Sequence, residues 1–119
     1  MTHYRWDDMP REQLMPGLGR RFLHGERAML AHIYLDKGVV VPLHTHDPEQ
    51  ITYVLSGALR LWVGDAPPVD VRAGEVLVIP SNAPHRAEAL EDTLDVDIFS
   101  PPRQDWIKKD DAYLRGGSR

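Results

Sequence analysis

Between residues 21 and 99 this chain never runs far without a turn signal. Short aliphatic and β-branched runs are cut by Asp36-Lys37-Gly38, Ser56-Gly57, Gly64-Asp65-Ala66-Pro67-Pro68, Ala73-Gly74 and Ser81-Asn82-Ala83-Pro84. Gly and Asn enter left-handed backbone at low steric cost, and Pro withdraws the N–H that a strand would use. That spacing leaves no room for an ordinary helix, whereas short strands between regular turns are the pattern of a sandwich or barrel. Strands are predicted near 20–24, 28–35, 40–45, 50–56, 59–64, 69–72, 76–80, 85–90 and 93–99. Ahead of them Pro10, Pro16, Gly17 and Gly19 interrupt the chain, and Met9–Leu14 is expected to make a helical turn. Behind them Asp105–Lys109 is expected to form one turn of helix, and Gly116-Gly117-Ser118-Arg119 to be mobile. The expectation is an all-β single domain over 1–119, with a barrel at about 20–100, an arm over 1–19 and a tail over 101–119.

Composition narrows the partners. A length of 119 residues suffices for one core and not for two. The formal net charge is −4, and Lys and Arg are scattered, so neither nucleic acid nor an anionic membrane finds the concentrated basic surface it needs. With no cysteine, neither disulfides nor thiolates hold the fold or a metal. Residues Met1 to Asp8 carry charges where a secretory signal has an apolar stretch, and no apolar run is long enough to span a bilayer. A soluble, cytoplasmic protein with a small-molecule partner is expected. Open sheet edges favour pairing with another chain. A homodimer is therefore expected, with Trp6 and Trp106 covering barrel edges or a dimer interface.

Three of the six histidines cluster by spacing. His44-Thr45-His46 places two imidazoles at i and i+2, which on a strand share one face. Gln50 opens the next strand across a short turn, with Glu49 beside it as the alternative donor. His85 heads a later strand, after Pro84. Imidazole nitrogens suit Zn, Cu, Fe and Ni, and an amide oxygen adds a neutral hard donor. His3, His24 and His32 have no partners at ligand spacing, and His32 is expected to be a strand residue with an ordinary hydrogen bond. In Leu59-Arg60-Leu61-Trp62-Val63 the aliphatic residues share one face and Trp62 takes the other.

The glycines and prolines around these donors raise the signal. Gly38, five residues, His44-Thr45-His46, three residues, Gln50, six residues, Gly57 make a first block. Gly74, five residues, Pro80, Ser81, Asn82, two residues, His85, three residues, Ala89 make a second. These blocks resemble the two motifs of the cupin superfamily in order and spacing, over about residues 38–89. The resemblance implies a double-stranded β-helix, the jelly-roll barrel of that family. It also implies one divalent transition metal (Ni, Zn, Mn or Fe) on His44, His46, Gln50 and His85. Asn82 stands where the family usually has Gly, a tolerable exchange because Asn accepts left-handed backbone. Ala89 replaces a common Asn outside the ligand set. Gln50 replaces the commoner Glu, which leaves the metal its full positive charge, so bound water is more acidic and oxyanions are better stabilised.

Further on, Val96-Asp97-Ile98-Phe99-Ser100-Pro101-Pro102-Arg103 is similar to the end of KdgF-type cupins, and Gln50-Ile51-Thr52-Tyr53-Val54 is similar too. Those enzymes linearise the 4,5-unsaturated monouronates released by pectin and alginate lyases. The resemblance implies that Asp97 shuttles a proton and Arg103 clamps a carboxylate in bidentate fashion. Phe99 would line the pocket, with Tyr53, Trp62 and Met29 further along it. Alternation alone reads differently: in Leu94-Asp95-Val96-Asp97-Ile98 it sends the aliphatic residues to the core and both aspartates outward. In a cupin one face of this strand lines the pocket, which would turn Asp97 and Phe99 toward the metal. A metal-dependent isomerase of small carboxylated sugars is the leading expectation. An Fe(II)- or Ni(II)-dependent dioxygenase is the alternative, and a binding cupin without turnover is a third.

Overall fold

The structure, a computed structural model, describes residues 1–115. The expectation of mobility at Gly116–Arg119 lies outside the described residues. Among the described residues ten strands form two antiparallel sheets. They are β1 (Glu12–Met15), β2 (Leu18–His24), β3 (Met29–Leu35), β4 (Val40–His44), β5 (Glu49–Ser56), β6 (Ala58–Val63), β7 (Val69–Arg72), β8 (Val76–Ile79), β9 (His85–Ala89) and β10 (Thr93–Ser100). The larger sheet runs β1-β2-β3-β10-β5-β8 and the smaller β4-β9-β6-β7. The sheets face one another as the expected jelly roll. A short helix α1 (Gln104–Ile107) and a 3-10 turn (Ala112–Arg115) follow. Among the described residues no helix is long and apolar enough to cross a membrane.

All nine predicted strands are present within a few residues, and the tail forms its helical turn. The expected helical turn at Met9–Leu14 is corrected: Trp6–Asp8 makes a 3-10 turn and Glu12–Met15 is a strand, so the sheet begins well before residue 20. Four residues of mixed polarity carry no alternation to detect. They become a strand by pairing, with Glu12 opposite Arg20 across the tight Pro16-Gly17 link. Arg20 is fully buried, and its guanidinium reaches Glu12 at 3.2 Å and Asp111 at 3.1 Å. One side chain thus ties the first strand and the tail to the end of the barrel.

The inner faces follow period two. On β3, Met29, Ala31, Ile33 and Leu35 are buried while the residues between them are half-buried. Val54 and Ile79 of the larger sheet pack in the same core as Leu59, Leu61 and Val71 of the smaller. The turn joining β5 to β6 is the tightest point. Gly57 has φ +89°, and a Cβ there would lie 2.5 Å from Thr93 Oγ1, 2.8 Å from Thr93 Cα and against the Asp92 carbonyl oxygen. Gly38 has a similar φ of +90° but open space around it. Gly57→Ala is therefore expected to cost about 2–4 kcal/mol, since strain and a backbone collision add. Gly38→Ala, with strain alone, is expected to cost about 1 kcal/mol. Urea unfolding of both variants checks this, and equal losses would show that crowding at Gly57 is relieved by a small shift.

Candidate metal centre and its cavity

His44 ends β4 and His85 opens β9, and the two are register partners. His46 follows in the turn before β5. The candidate ligand nitrogens of the three rings lie within 4.8 Å of one another. A backbone carbonyl faces each Nδ1: Pro42 for His44 at 2.7 Å, Pro48 for His46 at 2.9 Å and Ala83 for His85 at 2.8 Å. A carbonyl oxygen can only accept, so each Nδ1 carries the proton and each Nε2 keeps its lone pair. The local sequence builds this support, because every acceptor lies two residues from its histidine in a proline-containing segment.

Gln50 is buried and faces the histidines, whereas its neighbour Glu49 is exposed. The Gln50 amide donates through Nε2 to Thr52 Oγ1 at 2.8 Å, and the Thr52 hydroxyl donates to Asp97 Oδ1 at 2.9 Å. That chain points Gln50 Oε1 at His46 Nε2, 3.0 Å away. With the His46 proton on Nδ1, both atoms of this pair are acceptors, and two lone pairs at that separation repel. His85 Nε2 is buried with no hydrogen-bond partner. Converging neutral donors, an orphaned nitrogen and a lone-pair conflict are together what a divalent transition cation relieves, so the donor set fits one.

Two spaces flank this cluster. An inner cavity of about 60 Å³ is lined by aliphatic residues of both sheets together with His44, Gln50, His85, Asp95 and Asp97. An outer pocket of about 340 Å³ opens on the other side, past His46 and Pro101. His44, Arg103 and Tyr113 border both. Asp95, Asp97 and Phe99 all face inward from β10, while Ile98 is exposed. The resemblance therefore prevailed over alternation at Asp97. The ring of Phe99 meets His46 edge-on, with centroids 5.5 Å apart.

Arg103 is buried rather than a solvated loop charge. Its Nε and Nη2 grip Asp105 at 3.1 and 2.6 Å, and its guanidinium carbon lies 4.6 Å from the Trp106 ring and 4.7 Å from the Tyr113 ring. The expected bidentate clamp is corrected in this respect: Asp105 occupies the fork of Nε and Nη2. All four expected pocket residues are corrected as well: Phe99 packs on His46 but, like the other three, lines neither cavity. Tyr53 is exposed on the outer face of β5, because Gln50, Thr52 and Val54 take the inner one. Trp62 lies opposite the inward Leu61 and stacks under Arg86 at 3.7 Å. Met29 points inward but is wholly packed in the core and outside the cavity lining. Trp106 covers no edge; it is buried between Phe99 and Phe22. Trp6 stacks on His32 at 3.9 Å, where an ordinary hydrogen bond was expected for that histidine. Sequence reasoning missed Tyr113, whose ring sits 5.1 Å from that of His44, and Asp95, which period two would have placed with Asp97.

Burial pushes the His44 imidazole down to about 3, with His85 adding to the effect. Burial and then Arg103 push His46 down to about 4. Burial lowers His85 too, against the support of the Ala83 carbonyl. As pH falls below the ordinary 6.5, the unfolded chain takes up protons at His44 and His46 that the folded chain refuses until about 3 and 4. Stability from these rings is thus complete above 6.5 and declines through that window. Asp95 and Asp97 act in the opposite sense, since burial raises both and the folded chain keeps protons that the unfolded chain gives up. Metal-free His44→Asn is expected to lose unfolding free energy less steeply than the parent between pH 6.5 and 4, read from urea titrations. Parallel slopes would mean that the buried ring carries no such linkage.

The comparisons with known proteins agree with this geometry. The cupin domain model matches residues 31–100. The structure of KdgF from Halomonas sp. is 30% identical with a TM-score of 0.81, covering 88% of this chain and 99% of that one. An RmlC-like cupin from Shewanella frigidimarina is 28% identical with a TM-score of 0.81, covering 89% of this chain and 96% of that one. Oxalate decarboxylase from Bacillus subtilis, a protein with Mn(II) centers, shares the fold at 22% identity and a TM-score of 0.75, over 82% of this chain and 29% of that one. Curated proteins gave no match. With the domain matched over more than half its length around three converging histidines, this chain belongs to the cupin family.

Proposed function

We propose that this cupin is a metal-dependent isomerase that linearises 4,5-unsaturated monouronates. The observation that carries the reading is the inward turn of Asp97 and Arg103 toward the histidine cluster, in a family whose KdgF-type members the C-terminal motif resembles. His44, His46, Gln50 and His85 would hold the metal. When bound, it supplies Lewis-acid stabilisation of a developing oxyanion.

The substrate is a cyclic hemiacetal whose ring oxygen is also an enol ether. Asp97 takes the anomeric hydroxyl proton, directly or through one water, for which the inner cavity has room. The ring then opens to an aldehyde and an enolate. Asp97 returns the proton to the adjacent carbon of the enolate, and the ketone forms. Atoms balance without an oxidant. The outer pocket is of a size to seat a monosaccharide, with Arg103 on its wall to meet the carboxylate.

We also propose a homodimer. Register sets Tyr53 beside Val76, Ile51 beside Val78 and Ile98 beside Ile51, so the outer face of the larger sheet carries a continuous apolar strip. Leu55 adds to it. A second copy is the partner that would cover it. Sedimentation should find a dimer that Val78→Glu converts to monomer, and a monomeric parent would sink the idea.

Free Ni, Zn, Mn or Fe(II) at a hundred times its Kd should stabilise the protein by about 2.7 kcal/mol, reversibly with chelator. His85→Ala should abolish that shift; a shift that survives the substitution would place the metal elsewhere. Metal-loaded protein should accelerate loss of the ultraviolet enol-ether band of 4,5-unsaturated galacturonate above its spontaneous decay. Asp97→Asn should cost roughly 10²-fold or more in kcat. No acceleration by loaded protein would end the uronate reading, and oxygen uptake coupled to substrate loss would put a dioxygenase in its place.

A further inference from the structure

The reaction proposed above uses Asp97 and leaves Asp95 without a task. The two lie two residues apart on β10 and point into the same inner cavity, 3% and 7% exposed. Two ionised carboxylates buried side by side in one small cavity would repel with little water to screen them, so one member of the pair must carry the proton.

Their surroundings say which. Asp97 accepts from the Thr52 hydroxyl on β5, and two positively charged or chargeable groups act on it: Arg103 beyond β10 and His85 on β9. Ala31 is its neighbour on β3. Asp95 has Ile33 beside it on β3 and Val54 on β5, and the charge that acts on it is Asp97 itself. Its Oδ1 is buried with no hydrogen-bond partner. An ionised carboxylate so placed would lose its hydration and gain nothing in return, whereas a neutral acid tolerates one bare oxygen. A cation on the histidines would favour the ionised form of Asp97, which leaves the proton on Asp95 all the more firmly.

We propose that Asp95 is held as a neutral carboxylic acid whose O–H donates to Asp97, orienting that carboxylate and keeping it ionised beside the inner cavity. Asp95 is then a positioning residue that never touches the substrate, and its role rests on Asp97 being the base of the reaction proposed above. The arrangement explains why a carboxyl group sits among aliphatic side chains.

The first test needs no activity. Metal-loaded protein carrying carboxyl-labelled aspartate should show the C=O stretch of a protonated carboxyl group in its infrared spectrum at neutral pH. Asp95→Asn should remove that band. In the turnover assay Asp95→Asn, which still donates an N–H, should lose far less than Asp95→Leu. The Leu variant fits its apolar neighbours and should fold, yet kcat should fall on the order of 10²-fold. The acid limb of its kcat/KM profile should also move to higher pH, because Asp97 must then ionise unaided. Absence of the band in the parent, its survival in Asp95→Asn, or parental rates and pH profile in Asp95→Leu would each overturn the assignment. If the parent turns over no uronate, the reaction fails separately and the band alone decides the state of Asp95.

Discussion

Strand β10 lies hydrogen-bonded between β3 and β5 along its whole length, and the interior of this barrel depends on that double register. Asp97 is held opposite Ala31 on one side and Thr52 on the other, so its carboxyl group meets a small side chain and a hydroxyl donor. Phe99 is held opposite Gln50, which brings the ring against His46. Side chains alternate strictly across a strand, so a slip of one residue would send Asp95, Asp97 and Phe99 to the outside together. Pairing on both edges makes such a slip costly. The histidines come from elsewhere, and the second register, His44 opposite His85, brings two of them together.

A polar interior of this kind survives because nearly every group in it is satisfied by backbone or by a neighbour. The imidazole Nδ1 protons go to carbonyls, and the Gln50 amide and Thr52 hydroxyl pass donors along to Asp97. What remains unsatisfied is informative. His85 Nε2, Asp95 Oδ1 and Trp106 Nε1 are buried without partners, and all three residues line the inner cavity. Buried polar atoms are seldom left bare without a reason. For the histidine the reason is an open coordination position, and for the aspartate it is the neutral acid argued above.

The tail matters as much as the barrel. Arg20 draws Asp111 toward the sheet and stacks under Trp106 at 4.7 Å, while Arg103 holds Asp105 and meets Tyr113. These contacts lay residues 103–113 across the barrel mouth beside His44. Buried ion pairs contribute little net stability, because desolvation offsets most of the attraction. Their effect here is geometric: they decide which rings and which guanidinium group border the two pockets.

Much of this was legible in the sequence, for a local reason. Turn residues announce themselves, strands between them alternate, and the blocks around His44, His46, Gln50 and His85 resemble the cupin motifs closely enough to imply where the donors meet. The strand at Glu12–Met15 was not legible, since nothing but its pairing with β2 makes it a strand. Nor was the inside of β10. Alternation identifies the buried face only when the other face is polar, and here Ile98, Tyr53 and Val78 make the outer face apolar as well. The same ambiguity misplaced Tyr53. Trp106, Tyr113 and the grip of Asp105 on Arg103 depend on contacts between segments far apart in the chain, which no window of neighbouring residues contains. The amino-acid sequence by itself determined the strands and turns of the barrel, which are local, and its likeness to the cupin motifs pointed to the three histidines that converge. Only the tertiary structure decided which charged groups face the cavity, because that follows from the surfaces each strand finds opposite it.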